Sequence, residues 1–203
     1  FQPPEGTPPV GPLPSLENGH ITFASFNNFA KAHLGVLRMW AQVLHRVPHS
    51  KLLAIVPEGS AFEETMLAEG ITPERLISSS RKSGEAYWQL HHDIDFALDC
   101  YPFAGLTVSA IAAWMGVPTL TIAGNTPSSR AGGSLMHSLK LDEFIAPNPQ
   151  AFVERAVSLA SDLPKLSAIR NSMRARMESE VTNAPLYMAN FERSLREIWT
   201  RWC

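Results

Sequence analysis

Residues 93–125, DIDFALDCYPFAGLTVSAIAAWMGVPTLTIAGN, constrain the fold more than any other stretch of this chain. The short apolar run Phe96, Ala97, Leu98 is ended by Asp99 and reads as a strand. A loop over 100–106 follows, carrying Pro102 and Gly105. The small-residue segment 107–115 then reads as a buried helix, with Gly116 placed to stop it. After Pro118 the β-branched run 119–123 is a second strand, ended by Gly124 and Asn125. Strand, loop, helix and strand within about thirty residues make one βαβ unit. The loop lies after the carboxyl end of a strand and before the start of a helix. Open α/β sheets bind anionic ligands at such places, because unpaired N–H groups and the helix dipole face the ligand there. Gly105 would let backbone approach a phosphate closely, and Thr107 and Ser109 add hydroxyl donors.

The remainder of the chain repeats this alternation. Residues 21–25 read as a strand and 26–31 as the loop after it. Leu34, Leu37, Trp40, Leu44 and Val47 recur at helical spacing, so 34–47 is an amphipathic helix stopped by Pro48. KLLAIV at 51–56 is the next strand, and 62–69 is a helix closed by Gly70. Thr72, Pro73 and Glu74 resemble a helix start, giving a single turn before a strand at 76–78. A short helix over 84–92 leads into the central unit. Beyond that unit, helices are expected over 127–139, 149–162, 164–180 and 185–202, with a short connection at 141–145. The last helix carries Tyr187, Phe191, Leu195, Ile198 and Trp202 in a stripe suited to packing back onto a core. Alternating strands and helices predict an α/β fold with a parallel sheet and right-handed crossovers.

Two domains of unequal weight follow. Residues 1–19 contain Pro3, Pro4, Pro8, Pro9, Pro12 and Pro14 and read as an extended, Pro-rich linker over a surface. A linker at the very start suggests that something normally precedes it. Residues 20–203 form the folded domain with its C-terminal helices. A hydrophobic content of 45% and a charged content of 18% suit a globular protein. A net charge of -2 gives no electrostatic case for nucleic acid or an anionic membrane. No apolar run reaches about 18 residues, so no membrane helix is expected. The N-terminus lacks the charged and apolar regions of a signal peptide. Two cysteines, Cys100 and Cys203, do not make a disulfide framework, and a cytoplasmic location fits.

Few residues carry chemistry on spacing alone. Lys31 follows the first strand close to a helix start, where it could reach a phosphate, although a solvated surface lysine is the simpler reading. None of the histidines, including the pair His91 and His92, has metal-ligand spacing to a partner, and surface or helix-end positions are expected for them. Cys100 has no nearby histidine in sequence and reads as a buried small residue. The run 124–133, GNTPSSRAGG, lies between a strand and a helix and could hold an anion or a sugar, or serve only as a tightly packed helix start. Asp99 could bind a hydroxyl or cap a loop. Trp40 and Trp114 read as core.

Several of these pieces, in order, resemble one family. Phe26, Asn27 and Asn28 with Lys31, then Met39 and Trp40, the run 95–99, Gly105, Thr107, the turn 114–118 (WMGVP), and Ser129 with Arg130 are similar to the O-linked N-acetylglucosamine transferases. That resemblance covers residues from about 20 to the end. It implies the Rossmann-like C-terminal catalytic half of a GT-B glycosyltransferase, the half that holds a UDP-sugar donor. It implies that Lys31 binds the donor diphosphate and stabilises the leaving group, that Asn28 is a polar phosphate contact, that Thr107 holds phosphate, and that Tyr87 lies beside the uracil. Gly105, Ser129 and Arg130 complete the implied donor site. No cofactor or metal is implied beyond the donor itself. The implied partners are a protein or peptide acceptor, an N-terminal catalytic half, and possibly tetratricopeptide repeats upstream.

The sequence also departs from that family. Val108 replaces a second threonine, Ile111 an acidic residue that contacts the ribose, Leu106 a histidine or threonine, and Gly84 a lysine near the nucleotide. An isoleucine cannot accept a hydroxyl's hydrogen bond. The alternative function is therefore a non-catalytic module that keeps the fold and has lost the nucleotide-sugar site.

Overall fold

The computed structural model describes residues 1–3 and 5–203. A one-turn helix, α1 (Ser15–Asn18), precedes β1 (Thr22–Ser25), and then α2 (Leu34–Arg46) leads to β2 (Lys51–Ile55). Next come α3 (Phe62–Ala68), β3 (Leu76–Ser79), α4 (Glu85–Leu90), β4 (Phe96–Leu98), α5 (Thr107–Trp114) and β5 (Thr119–Ile122). Helix α6 (Pro127–Ser138) and β6 (Ile145–Ala146) complete the sheet, and α7 (Pro149–Ala160), α8 (Leu163–Arg176) and α9 (Ala184–Trp202) follow. The six strands lie in the order β3-β2-β1-β4-β5-β6 and every pairing is parallel. The α/β expectation therefore holds. β6 is an addition to it. Its two residues, after the turn Asp142–Phe144, are too short to show a strand's alternation in the sequence.

Alternation along the strands divides the core between the two faces of the sheet. Phe23, Leu52, Phe96, Leu98 and Leu120 join the larger cluster with Trp40, Phe62, Phe144 and Phe152. Ala24, Leu53 and Ala97 point the other way, against Phe26, Ile94, Ala112 and Val117. The small side chains on this second face let α5 pack close to the sheet. Trp40 is buried and its Nε1 donates to the Asp99 carbonyl at 3.3 Å, so the core runs directly beneath the end of β4.

Three expectations need correction. The last helix does not pack back. Tyr187, Phe191, Leu195, Ile198 and Trp202 are all exposed, and α9 buries no residue. Its periodicity identifies an apolar face but not what covers it. His91 is at a helix end but is fully buried, with its ring stacked on Phe26 at 4.3 Å and its Nδ1 paired with the Tyr87 carbonyl. Trp114 is only half-buried. Its Nε1 donates to Thr7 Oγ1 at 2.8 Å, and Arg174 lies over its ring at 4.5 Å.

The proline-rich start is held between Thr7 and Ser15. Arg170 of α8 is fully buried and donates to the carbonyls of Gly11, Ile94 and His91, and burial pulls its guanidinium down to about 10. Arg174 donates to the Pro8 carbonyl. Leu13 and Ser15 are buried, and the Asp95 carboxylate accepts from the N–H groups of Ser15 and Thr22. Among the described residues no helix is long and apolar enough to cross a membrane.

Candidate functional site

The strand order reverses between β1 and β4: the chain moves outward through β2 and β3, then returns to lie on the other side of β1. Neighbouring loops leave such a point in opposite directions and open a crevice at the carboxyl ends of the strands. The two loops here are 26–33 after β1 and 99–106 after β4.

Lys31 ends the turn Phe29–Lys31 in the first loop. Its Nζ donates to Asn27 Oδ1 at 3.1 Å and to the Ala104 carbonyl at 3.4 Å, and lies 4.5 Å from the centre of the Phe103 ring. The ammonium is thus aimed across the crevice at the second loop. Asn28 is exposed, and its Oδ1 accepts from Ala30 N–H to cap the same turn. His33 bridges the two loops. Its Nδ1 accepts from Gly35 N–H at the start of α2, so its Nε2 carries the proton and donates to the Tyr101 carbonyl at 2.9 Å.

Asp99 is the buried centre of the second loop. Its Oδ1 accepts from Asn27 Nδ2 at 3.0 Å, Cys100 N–H at 2.9 Å and Gly105 N–H at 2.8 Å, and its Oδ2 accepts from the Thr121 hydroxyl at 2.7 Å. Burial raises the carboxyl's pKa, and the four hydrogen bonds oppose that rise without cancelling it. Packing around it leaves no slack. A Cβ on Gly105 would lie 2.8 Å from Ser109 Oγ and from Val108 Cγ2, and one on Gly132 of α6 would lie 2.6 Å from Asp99 Oδ2. Glycine at both positions is required by close approach. Burial also pushes the neighbouring Cys100 thiol up to about 12, which leaves it protonated at neutral pH.

The two helix starts beside the crevice differ. Helix α6 is closed by Thr126 and Ser129, whose side chains each accept from the other's backbone N–H. Ser129 is buried within that cap, and Arg130, one residue on, is exposed. Helix α5 has Leu106 at its cap position and no side-chain cap. Its first-turn N–H groups, with the exposed Thr107 among them, stay available to an anion. The Ala104 N–H donates to the Ser128 carbonyl, which ties the second loop to the start of α6.

The structure therefore brings Lys31 and Gly105 into one cluster, with Thr107 at the adjoining helix start. Asn28 turns toward its own backbone. Tyr87 belongs to the second face of the sheet, edge-on to Phe26 at 6.0 Å, and burial raises its phenol to about 12. Sequence reasoning missed Asn27 and left the role of Asp99 open. The only signal available was an aspartate at a strand end with a glycine six residues on, a spacing that suits a carboxylate accepting from the loop's far N–H. Among the described residues no group of three or more His, Cys, Asp or Glu is placed to hold a metal ion.

Comparison with known proteins agrees with this architecture. The model of the family described as glycosyl transferase family 41 matches residues 13–191. A relative from Petunia hybrida, the probable UDP-N-acetylglucosamine–peptide N-acetylglucosaminyltransferase SPINDLY, is 35% identical over 96% of this chain. An O-GlcNAc transferase mutant from Thermobaculum terrenum superposes with a TM-score of 0.85 at 29% identity, over 98% of this chain and 39% of that one. The C-terminal domain of a glycosyl transferase group 1 family protein from Francisella tularensis shares the fold alone, with a TM-score of 0.59 at 12% identity over 88% of this chain and 94% of that one. The chain spans only 22% of the length of the Petunia relative.

Proposed function

We propose a function from one premise: this chain belongs to glycosyl transferase family 41, the O-linked N-acetylglucosamine transferases. The chain is the donor-binding, C-terminal half of a GT-B enzyme that moves a sugar from UDP to a protein or peptide hydroxyl. The names of the relatives favour N-acetylglucosamine as the sugar. The observation that carries this reading is the pairing, at the β1–β4 switch point, of the Lys31 ammonium with the uncapped start of α5.

A diphosphate suits that pairing. Lys31 has three N–H donors, and two point to Asn27 and Ala104, which leaves one for a phosphate oxygen. The N–H groups of the first turn of α5 and the Thr107 hydroxyl supply donors from the opposite side, and the helix dipole adds to them. As the acceptor hydroxyl oxygen bonds to the anomeric carbon and gives up its proton to water, the bond from that carbon to the β-phosphate oxygen breaks and negative charge grows on UDP. Lys31 and the α5 start meet that charge as it develops, which lowers the barrier. Gly105 lets the loop backbone come close, and Arg130 borders the crevice at the start of α6. Ser129 acts by holding that helix start, Asn28 by holding the turn that carries Lys31. Tyr87 lines the base side through its ring face.

The acceptor-side groups come from an N-terminal catalytic half of the same polypeptide, with tetratricopeptide repeats before it. The two free cysteines suit a reducing compartment, the cytoplasm. The test is transfer of labelled N-acetylglucosamine from its UDP donor to an acceptor peptide by the full-length polypeptide. Lys31→Ala should lower kcat by roughly a hundredfold or more. An unmutated polypeptide that transfers nothing, or a Lys31→Ala variant as fast as its parent, would overturn the reading.

A further inference from the structure

We propose that Asp99 is a positioning residue, a buried carboxylate that sets Lys31 from one side of the crevice and the start of α5 from the other. The inference rests on the reading of Lys31 as the diphosphate contact. Asp99 Oδ1 accepts from the N–H groups of Cys100 and Gly105, so the group Asn27 turns toward that oxygen is its donor, the Nδ2 amide. That choice leaves Asn27 Oδ1 facing Lys31 Nζ, the one orientation that attracts an ammonium. Without a carboxylate at position 99 the Asn27 amide is released to rotate, and its NH2 group in that place would push Lys31 away. The same Oδ1 of Asp99 holds Gly105 N–H, which fixes the loop two residues before the first residue of α5. Thr121 from β5 and the close approach of Gly132 from α6 hold the carboxylate itself in place. Two loops, a strand and a helix thus converge on one side chain that is too deep to touch a substrate.

A purely structural role, closing the loop after β4, makes a different prediction. It would weaken every ligand of the crevice by the same factor. A positioning role acts on the phosphate that Lys31 meets, so it changes the preference for UDP over UMP. The experiment measures both affinities by ligand-observed NMR titration, for the parent, Asp99→Asn and Asn27→Leu, with thermal unfolding as the check of folding. The parent should prefer UDP by about tenfold or more, the worth of one charge-assisted hydrogen bond. In both variants that preference should fall to about twofold, chiefly through weaker UDP binding. Should Asp99→Asn fail to fold, Asn27→Leu decides alone, since it removes the relay and leaves the other three partners of Asp99 in place. An unchanged preference in Asn27→Leu, or equal losses for both nucleotides, would overturn the proposal. A parent that binds neither nucleotide would overturn the function reading beneath it, which separates the two failures.

Discussion

The His91 imidazole is held at about 4 by burial, against an ordinary value of 6.5, with weaker opposition from backbone hydrogen bonds to Tyr87 and Trp88. Its folded-state pKa is depressed, so the neutral ring is the form that folding favours. The resulting stability is fully present above pH 6.5 and is lost as pH falls toward 4. Its size is on the order of 3 kcal/mol. Thermal unfolding at pH 7.5 and 4.5 should therefore show a steeper loss in the parent than in His91→Gln, and equal losses would reject the assignment. A second residue-scale prediction concerns Ile111, half-buried on α5. Ile111→Asp should restore an acceptor for a ribose hydroxyl and strengthen UDP binding by roughly tenfold. Titration of that variant with no gain would place the ribose elsewhere. At this scale the sequence was least informative. Asn27 and Asn28 are adjacent and chemically identical, and which of them meets Lys31 depends on the direction the chain takes on leaving β1. Asp99 acts through partners 72 residues before it and 22 after it, and no local pattern records that.

Helix α9 and helix α2 form a contrast. Both are amphipathic, and both were legible from apolar spacing. α2 buries Leu37, Trp40 and Leu44 against the sheet, whereas α9 buries nothing. Trp40→Ala should then cost roughly 3–5 kcal/mol in unfolding free energy, through lost burial and the cavity left behind. Leu195→Glu with Ile198→Glu should change the stability of the same chain by less than about 0.5 kcal/mol per site, as for other exposed positions. Denaturant unfolding of both variants checks the pair, and a large loss from the α9 changes would mean that this helix is covered in solution. The proline-rich start shows the opposite limit of sequence reading. Its composition suggested an extended backbone, yet Ser15–Asn18 form a helical turn, and the arginines that hold its carbonyls lie on α8, about 160 residues away.

Across the whole molecule, the strand order places the crevice. Alternating strands and helices were enough to predict a parallel sheet, and the βαβ unit at 93–125 marked one of the two loops that line the crevice. The neighbour of that loop could not be read in the same way. That β4 pairs with β1 rather than with β3 follows from packing, and it is this pairing that sets Lys31 opposite Ala104 and Gly105. The family resemblance supplied Lys31 where spacing alone favoured a surface lysine. The central claim, that a diphosphate is held between Lys31 and the start of α5, is tested most directly by calorimetric titration of the parent and Lys31→Ala with UDP. The account predicts measurable binding by the parent and a loss of about tenfold to a hundredfold or more in Lys31→Ala. Equal affinity in the two proteins would contradict it.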